Sequence, residues 1–134
     1  MKSFDTFKDL HVTLDKDRPG SLAKAATAIA NAGINIEGFC EVDGQFHTVT
    51  SDPAGTKRVL ESAGYKVKET DVVVLPAEDR PGFLAEVLER ITQDEINVGV
   101  AYTLTNTRIA ISADQVSKLK GALQELATTA TRRR

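Results

Sequence analysis

Residues 12–36, VTLDKDRPGSLAKAATAIANAGINI, and residues 74–98, VLPAEDRPGFLAEVLERITQDEINV, decide how this chain folds, because they are one passage written twice. Laid over each other at an offset of 62, they agree at ten of 25 positions: Val12/Val74, Asp17/Asp79, Arg18/Arg80, Pro19/Pro81, Gly20/Gly82, Leu22/Leu84, Ala23/Ala85, Ile29/Ile91, Ile34/Ile96 and Asn35/Asn97. Asp-Arg-Pro-Gly stands both times at the same distance before Ile-Asn. The chain reads as a duplication, with one copy in residues 1–70 and the other in 71–134. Units this small bury their cores with little surface to spare, so the two are expected to pack on each other.

Outward from the repeat, the hydrophobic periods are legible. Leu84, Val87, Leu88 and Ile91 recur at helical spacing with Glu86, Glu89, Arg90 and Gln93 between them, and Leu22, Ala26, Ile29 and Ala30 do the same in the first copy. Ile96, Val98, Val100, Tyr102 and Leu104 then alternate with smaller or polar residues, the period of a half-buried strand; its counterpart is Ile34 to Val42. Asp43-Gly44 predicts a hairpin into Gln45 to Thr50, and Asn106 marks the matching turn before Arg108 to Ser112. A second helix follows each hairpin. Asp52-Pro53 or Asp114 starts it, Val59, Leu60 and Ala63 or Val116, Leu119, Leu123 and Leu126 line it, and Gly64 stops the first one.

Each unit thus reads strand, helix, strand, strand, helix, with Lys66 to Glu69 closing the first. The expected fold class is α+β: two ferredoxin-like βαββαβ sandwiches, the second lacking a last strand of its own, since nothing after Leu126 looks like one. An open sheet edge invites pairing, so Ser3 to Asp9 or another chain is expected to cover it. Lys66 to Leu75 passes from one copy to the next without a Gly, Pro or Ser linker, which predicts rigid coupling.

Composition narrows the function. The 134 residues are 41% hydrophobic and 27% charged, with 17 Lys and Arg against 19 Asp and Glu, an ordinary globular balance. The longest apolar run, Val72 to Leu75, is far short of the ~20 residues of a membrane span, and Met1 to Leu14 lacks the apolar centre of a signal peptide; a cytoplasmic protein is expected. One cysteine, Cys40, and two histidines, His11 and His47, are the whole stock of soft metal ligands, so neither a structural metal nor another cofactor is expected. The net charge of −2 opposes nucleic-acid binding, which rests on phosphate neutralisation. Arg132 to Arg134 read as a solvated tail.

The repeated tetrapeptide is where chemistry is expected. Asp, Pro and Gly between a strand and a helix have a plain capping role. Glycine at a helix start is costly, however, and its benefit is to let another group approach the backbone. The exposed N–H groups and the positive dipole end there suit a carboxylate, and a neighbouring Asp suits an ammonium. Together they describe a receptor for the two charged ends of a free amino acid, twice over.

These motifs carry a resemblance. Asp17-Arg18-Pro19-Gly20 with Leu22 and Gly33-Ile34-Asn35-Ile36, and Asp79-Arg80-Pro81-Gly82 with Leu84 and Ile96-Asn97-Val98, resemble the ACT domain, a small regulatory module of amino-acid metabolism, over about residues 9–130. The resemblance implies amino-acid binding at an interface between modules, with the effector changing their association. Carried over, the loop residues are Asp17, Pro19, Gly20, Ser21 and Leu22 with Asp79, Pro81, Gly82, Phe83 and Leu84, and the residues facing them from a neighbouring module are Asn35, Ile36, Asn97 and Val98. Arg18 and Arg80 read as exposed helix-start charges, with contact to a ligand carboxylate or to the other module as the alternative. Where members of the family carry Asn before the Arg-Pro-Gly or similar triplet, this chain has Asp in both copies, which accepts from an ammonium but cannot donate to a carboxylate. Ser21 against Phe83 and Gly33 against Glu95 predict unequal sites.

Rival readings fare worse. His11 and His47 have no counterparts in the second copy, Cys40 reads as a small buried hydrophobe, and neither G-x-x-x-x-G-K nor G-x-G-x-x-G occurs, so an enzyme is not expected. An RNA-recognition module would need stacking aromatics amid basic residues, and Phe39, Phe46 and Tyr102 are scattered. The expectation is a non-catalytic regulator with an amino-acid effector, forming a homo-oligomer and acting on a regulated enzyme. The alternative is a ligand-free interaction module docking on a metabolic enzyme or transcription regulator.

Overall fold

A computed structural model describes residues 4–133 of the chain, and side chains as far as Leu126. Its elements run β1 (Asp5–Thr13), α1 (Ser21–Asn31), β2 (Ile36–Val42), β3 (Gln45–Thr50), α2 (Pro53–Ser62), β4 (Lys68–Pro76), α3 (Phe83–Gln93), β5 (Val98–Leu104), β6 (Arg108–Ala113) and α4 (Val116–Arg133). The solvated tail expected at Arg132 to Arg134 lies outside the described side chains.

The expected pair of ferredoxin-like sandwiches is overturned. The described strands form one closed barrel in the order β1-β3-β2-β5-β6-β4, accompanied by four helices. The physical reason lies in β4. What the sequence presents as the last strand of one copy and the first strand of the next is a single nine-residue strand, Lys68–Pro76. Two complete βαββαβ sheets would need eight strands; sharing β4 removes one and the lack of a strand after α4 removes another, leaving six among the described residues.

The chain divides into two compact units, Lys8–Thr70 and Asp71–Arg134 joined by Met1–Phe7. In the unit Lys8–Thr70, β3 pairs antiparallel with β1 (His11 opposite His47) and with β2 (Cys40 opposite His47). Asp43 and Gly44, at φ 51° and 83°, make the tight turn whose twist suits such a hairpin. Val12, Leu14, Ala25, Ile29, Phe46 and Leu60 form its core. Helix α2 begins as its sequence predicts: Asp52 accepts from the Gly55 N–H at 3.0 Å and Pro53 occupies the first turn.

In the unit built on Asp71–Arg134, β6 pairs with β4 and with β5, around a core of Val73, Leu75, Val87, Ile91, Ile96, Ile109, Ile111, Leu119, Ala122 and Leu123. Phe4 packs against this core; Ser3, which the expectation of a covered edge included, lies outside the described residues. The alternation expected from Ile96 to Leu104 holds only at its ends. A register shift between Val98 and Ala101 turns Val98 outward, while Tyr102 and Leu104 are buried. Helix α4 starts after Gln115, whose carbonyl accepts from the Leu119 N–H at 3.0 Å, rather than at Asp114. No helix among the described residues is long and apolar enough to cross a membrane.

Candidate functional site

Both repeated loops are braced by the hairpin turn of their own unit. Where β1 ends, the Leu14 N–H donates to the Gly44 carbonyl at 2.7 Å, and Lys16 Nζ reaches Asp43 Oδ1 at 2.9 Å. Where β4 ends, the Ala77 N–H donates to the Thr107 carbonyl at 2.8 Å. The chain then turns toward the helix through Arg18, whose N–H donates to Asp15 O at 3.1 Å, or Arg80, whose N–H donates to Glu78 O at 2.9 Å.

The helices start later than capping by Asp would require. Gly20 and Gly82 stand just before α1 and α3, both at φ 88°, in the left-handed region that a helix excludes and glycine tolerates. No side chain caps either helix. Asp17 and Asp79 are exposed before the glycine, and the Asp17 N–H itself donates to Asp15 Oδ1 at 3.2 Å. A Cβ built on either glycine would meet nothing within 4 Å. The glycines are thus required by backbone conformation, and the space beside them is open. First-turn N–H groups point out of any helix start; here Leu22 and Ala23, or Leu84 and Ala85, have no side-chain cap to receive them.

Charge separates the two loops. Position for position along the repeat, Lys16 and Lys24 in the first are Glu78 and Glu86 in the second. Arg80 Nε is 2.5 Å from Glu78 Oε2, its two terminal nitrogens reach Glu86 Oε1 and Oε2 at 3.2 and 2.8 Å, and its guanidinium lies 5.6 Å from the Phe83 ring centre. The hydrogen bonds to Glu86, then to Glu78, raise the Arg80 pKa further above its already basic value. Among the described residues Arg18 has only Asp15, at 3.5 Å, and its side chain is 79% exposed against 42% for Arg80. Ser21, in the place of Phe83, holds its hydroxyl 2.7 Å from Asp15 O and 2.9 Å from Arg18 O. Glu86 sits in the first turn of α3, where it meets the positive dipole end. The first turn of α1 has no acid; Lys24 stands there, 5.6 Å from the Tyr65 ring centre.

The sequence-derived set falls into two groups within each unit. Asp17, Arg18, Pro19 and Gly20 are exposed beside half-buried Ser21 and Leu22, and Asp79, Arg80, Pro81 and Gly82 are exposed beside half-buried Phe83 and 53% exposed Leu84. Asn35 lies beyond the other end of α1, an eleven-residue helix about 16 Å long, where its N–H donates to Ser51 Oγ and its carbonyl accepts from the Ser51 N–H, both at 3.0 Å. Ile36 follows it at the start of β2, and Asn97 and exposed Val98 occupy the matching place after α3. Within one unit, loop and Asn are therefore not brought together. Sequence reading missed Lys16, Lys24, Glu78 and Glu86. Their charge reversal across the repeat was visible in the alignment.

No protein-family model matches the sequence, and no curated protein sequence matches it. Solved structures do. Protein BT0572 from Bacteroides thetaiotaomicron is 24% identical, with 94% of this chain and 92% of that one covered at a TM-score of 0.81. The ligand-free regulatory subunit of aspartate kinase from Thermus thermophilus is 17% identical, with 91% and 92% covered at 0.66. Aspartokinase III of E. coli, in complex with lysine and aspartate, is 15% identical, with 92% of this chain but 31% of that one covered at 0.60. What the chain shares with these proteins is an ACT-like fold.

Proposed function

We propose that the chain is a non-catalytic regulatory protein that binds a small free amino acid at its helix-start loops and signals through altered packing or oligomerisation. The observation that carries this reading is the pair of uncapped helix starts, each behind a left-handed glycine with open space beside it. The N–H groups of the first turn receive the ligand carboxylate, and Asp17 or Asp79 receives its ammonium. Asn35, Ile36, Asn97 and Val98 face the loops from a neighbouring module, which a homo-oligomer supplies because a single unit holds loop and Asn at opposite ends of a helix. The fold shared with a regulatory subunit of aspartate kinase favours a metabolic enzyme as the regulated partner.

Thermal melts with each of the twenty amino acids at millimolar concentration test it. A subset raises Tm by linkage of binding to folding, and Gly20→Val with Gly82→Val removes that rise while far-UV circular dichroism stays nearly unchanged. A flat panel, reproduced by calorimetry, leaves the alternative in place: a ligand-free module docking on an enzyme or transcription regulator.

A further inference from the structure

The two histidines, which sequence reading sets aside one at a time, meet across the sheet. His11 on β1 is opposite His47 on β3, and directly opposed residues share a sheet face. Their imidazoles stack at 4.1 Å between ring centres, 10° from parallel. Each ring is anchored at one nitrogen: His47 Nδ1 lies 2.9 Å from Asp9 Oδ2, and His11 Nε2 is 2.6 Å from Gln45 Oε1. Asp9 is 1% exposed, so its carboxylate is held against His47 away from solvent.

The groups around the stack decide how much charge it can carry. On β1 the same face bears Asp9 and Thr13, and on β3 it bears Gln45, to which the Thr13 hydroxyl donates at 3.2 Å. On β2 it bears Cys40, opposite His47. Burial, then the charges of Asp9 and Glu41, hold the Cys40 thiol above its ordinary value, so it is uncharged in neutral and acidic solution. Glu41 is opposite Phe46, and its carboxylate accepts from the Gly44 N–H at 3.2 Å. Helices α1 and α2 pack on the other face, where Ala25, Ile29 and Leu60 meet Val12 and Phe46. Asp9 is therefore the carboxylate that these elements set against the rings.

We propose that the stacked pair is a pH-sensitive latch between β1 and β3, closed while His11 and His47 carry at most one proton charge between them and opened when both are charged. A charge on His47 is met by Asp9 through a charge-assisted hydrogen bond. A second charge, on His11, meets only the neutral oxygen of Gln45 and faces the first across 4.1 Å, where like charges repel. In the unfolded chain the rings are apart and both are charged in acid. The unfolded chain then holds more protons than the closed stack, so stability falls as pH falls.

Thermal melts from about pH 7.5 to 5.5 test the latch, since that range spans ordinary histidine titration and stays above that of ordinary carboxylates. The native Tm should fall by several degrees. His11→Phe keeps an aromatic ring over His47 but takes up no proton, and its Tm should fall by less than half as much. Imidazole C–H signals in proton NMR read the same event without unfolding: the two rings of the native chain should titrate in two separate steps. A native Tm that stays level overturns the proposal, as does a fall in folded His11→Phe of half the native one or more. Should that variant not fold, the NMR titration of the native chain decides, and a single shared step overturns the proposal.

Discussion

Helices α1 and α2 belong to the same unit and begin in opposite ways. At α2, Asp52 accepts from the Gly55 N–H and Pro53 presets the first turn, so the helix start is sealed by its own residues. At α1, and again at α3, a left-handed glycine precedes the helix and no side chain caps it. The chain thus uses an Asp-Pro start where a helix has only to be stable, and leaves two others unfinished. A second contrast lies inside the first: α3 carries Glu86 and an Arg80 held by two carboxylates, whereas α1 carries Lys24 and an Arg18 that is nearly free. Of the two open starts, that of α1 is the better prepared for an anion.

The largest effect is expected from the glycines. Gly20→Val and Gly82→Val each force a β-branched residue into the left-handed region, at a cost of about 1–2 kcal/mol or more. Both glycines share one φ and both have open surroundings, so equal losses in urea denaturation are expected. Unequal losses would show that one glycine serves packing. Next, Asp52→Ala should lower stability by about 1 kcal/mol in the same measurement, whereas Asp17→Ala, which removes no cap, should leave it nearly unchanged. Reversing the first-turn charges comes third. Lys24→Glu should weaken any amino-acid-induced Tm rise, and Glu86→Lys should cost about 0.3–1 kcal/mol through the helix dipole, with both effects shrinking in high salt. Smallest is the arginine comparison: Arg80→Ala should lower Tm slightly at low salt and not at high salt, and Arg18→Ala at neither.

Features governed by near neighbours were legible in the sequence. The Asp43-Gly44 turn, the Asp52-Pro53 start, the stop at Gly64 and the burial of Ile29 in α1 and of Val87 and Ile91 in α3 depend on residues within a turn or two of each other, although Ala30 and Leu84 of the expected faces are exposed. Closure into one barrel was not legible, because nothing in Lys68–Pro76 shows that one strand replaces two. Nor was the outward turn of Val98, since a period of two does not reveal a bulge. The loops themselves were found by repetition, but the contacts that distinguish them span no regular period: Arg80 meets Glu86 six residues away and Lys16 meets Asp43 at a separation of 27. The row of His11, His47 and Cys40 exists only through strand register.

The packing of Phe4 on the core formed by Val73, Leu119 and Leu123 has a consequence for how the protein is made. During synthesis, at about 5–20 residues per second, Phe4 emerges well before Val73, Leu119 and Leu123 and has to wait for these surroundings. The unit Lys8–Thr70 has all of its residues in hand well before then. A chain stopped near residue 70 would therefore contain every residue of the unit Lys8–Thr70 while the partners of Phe4 had not yet been translated.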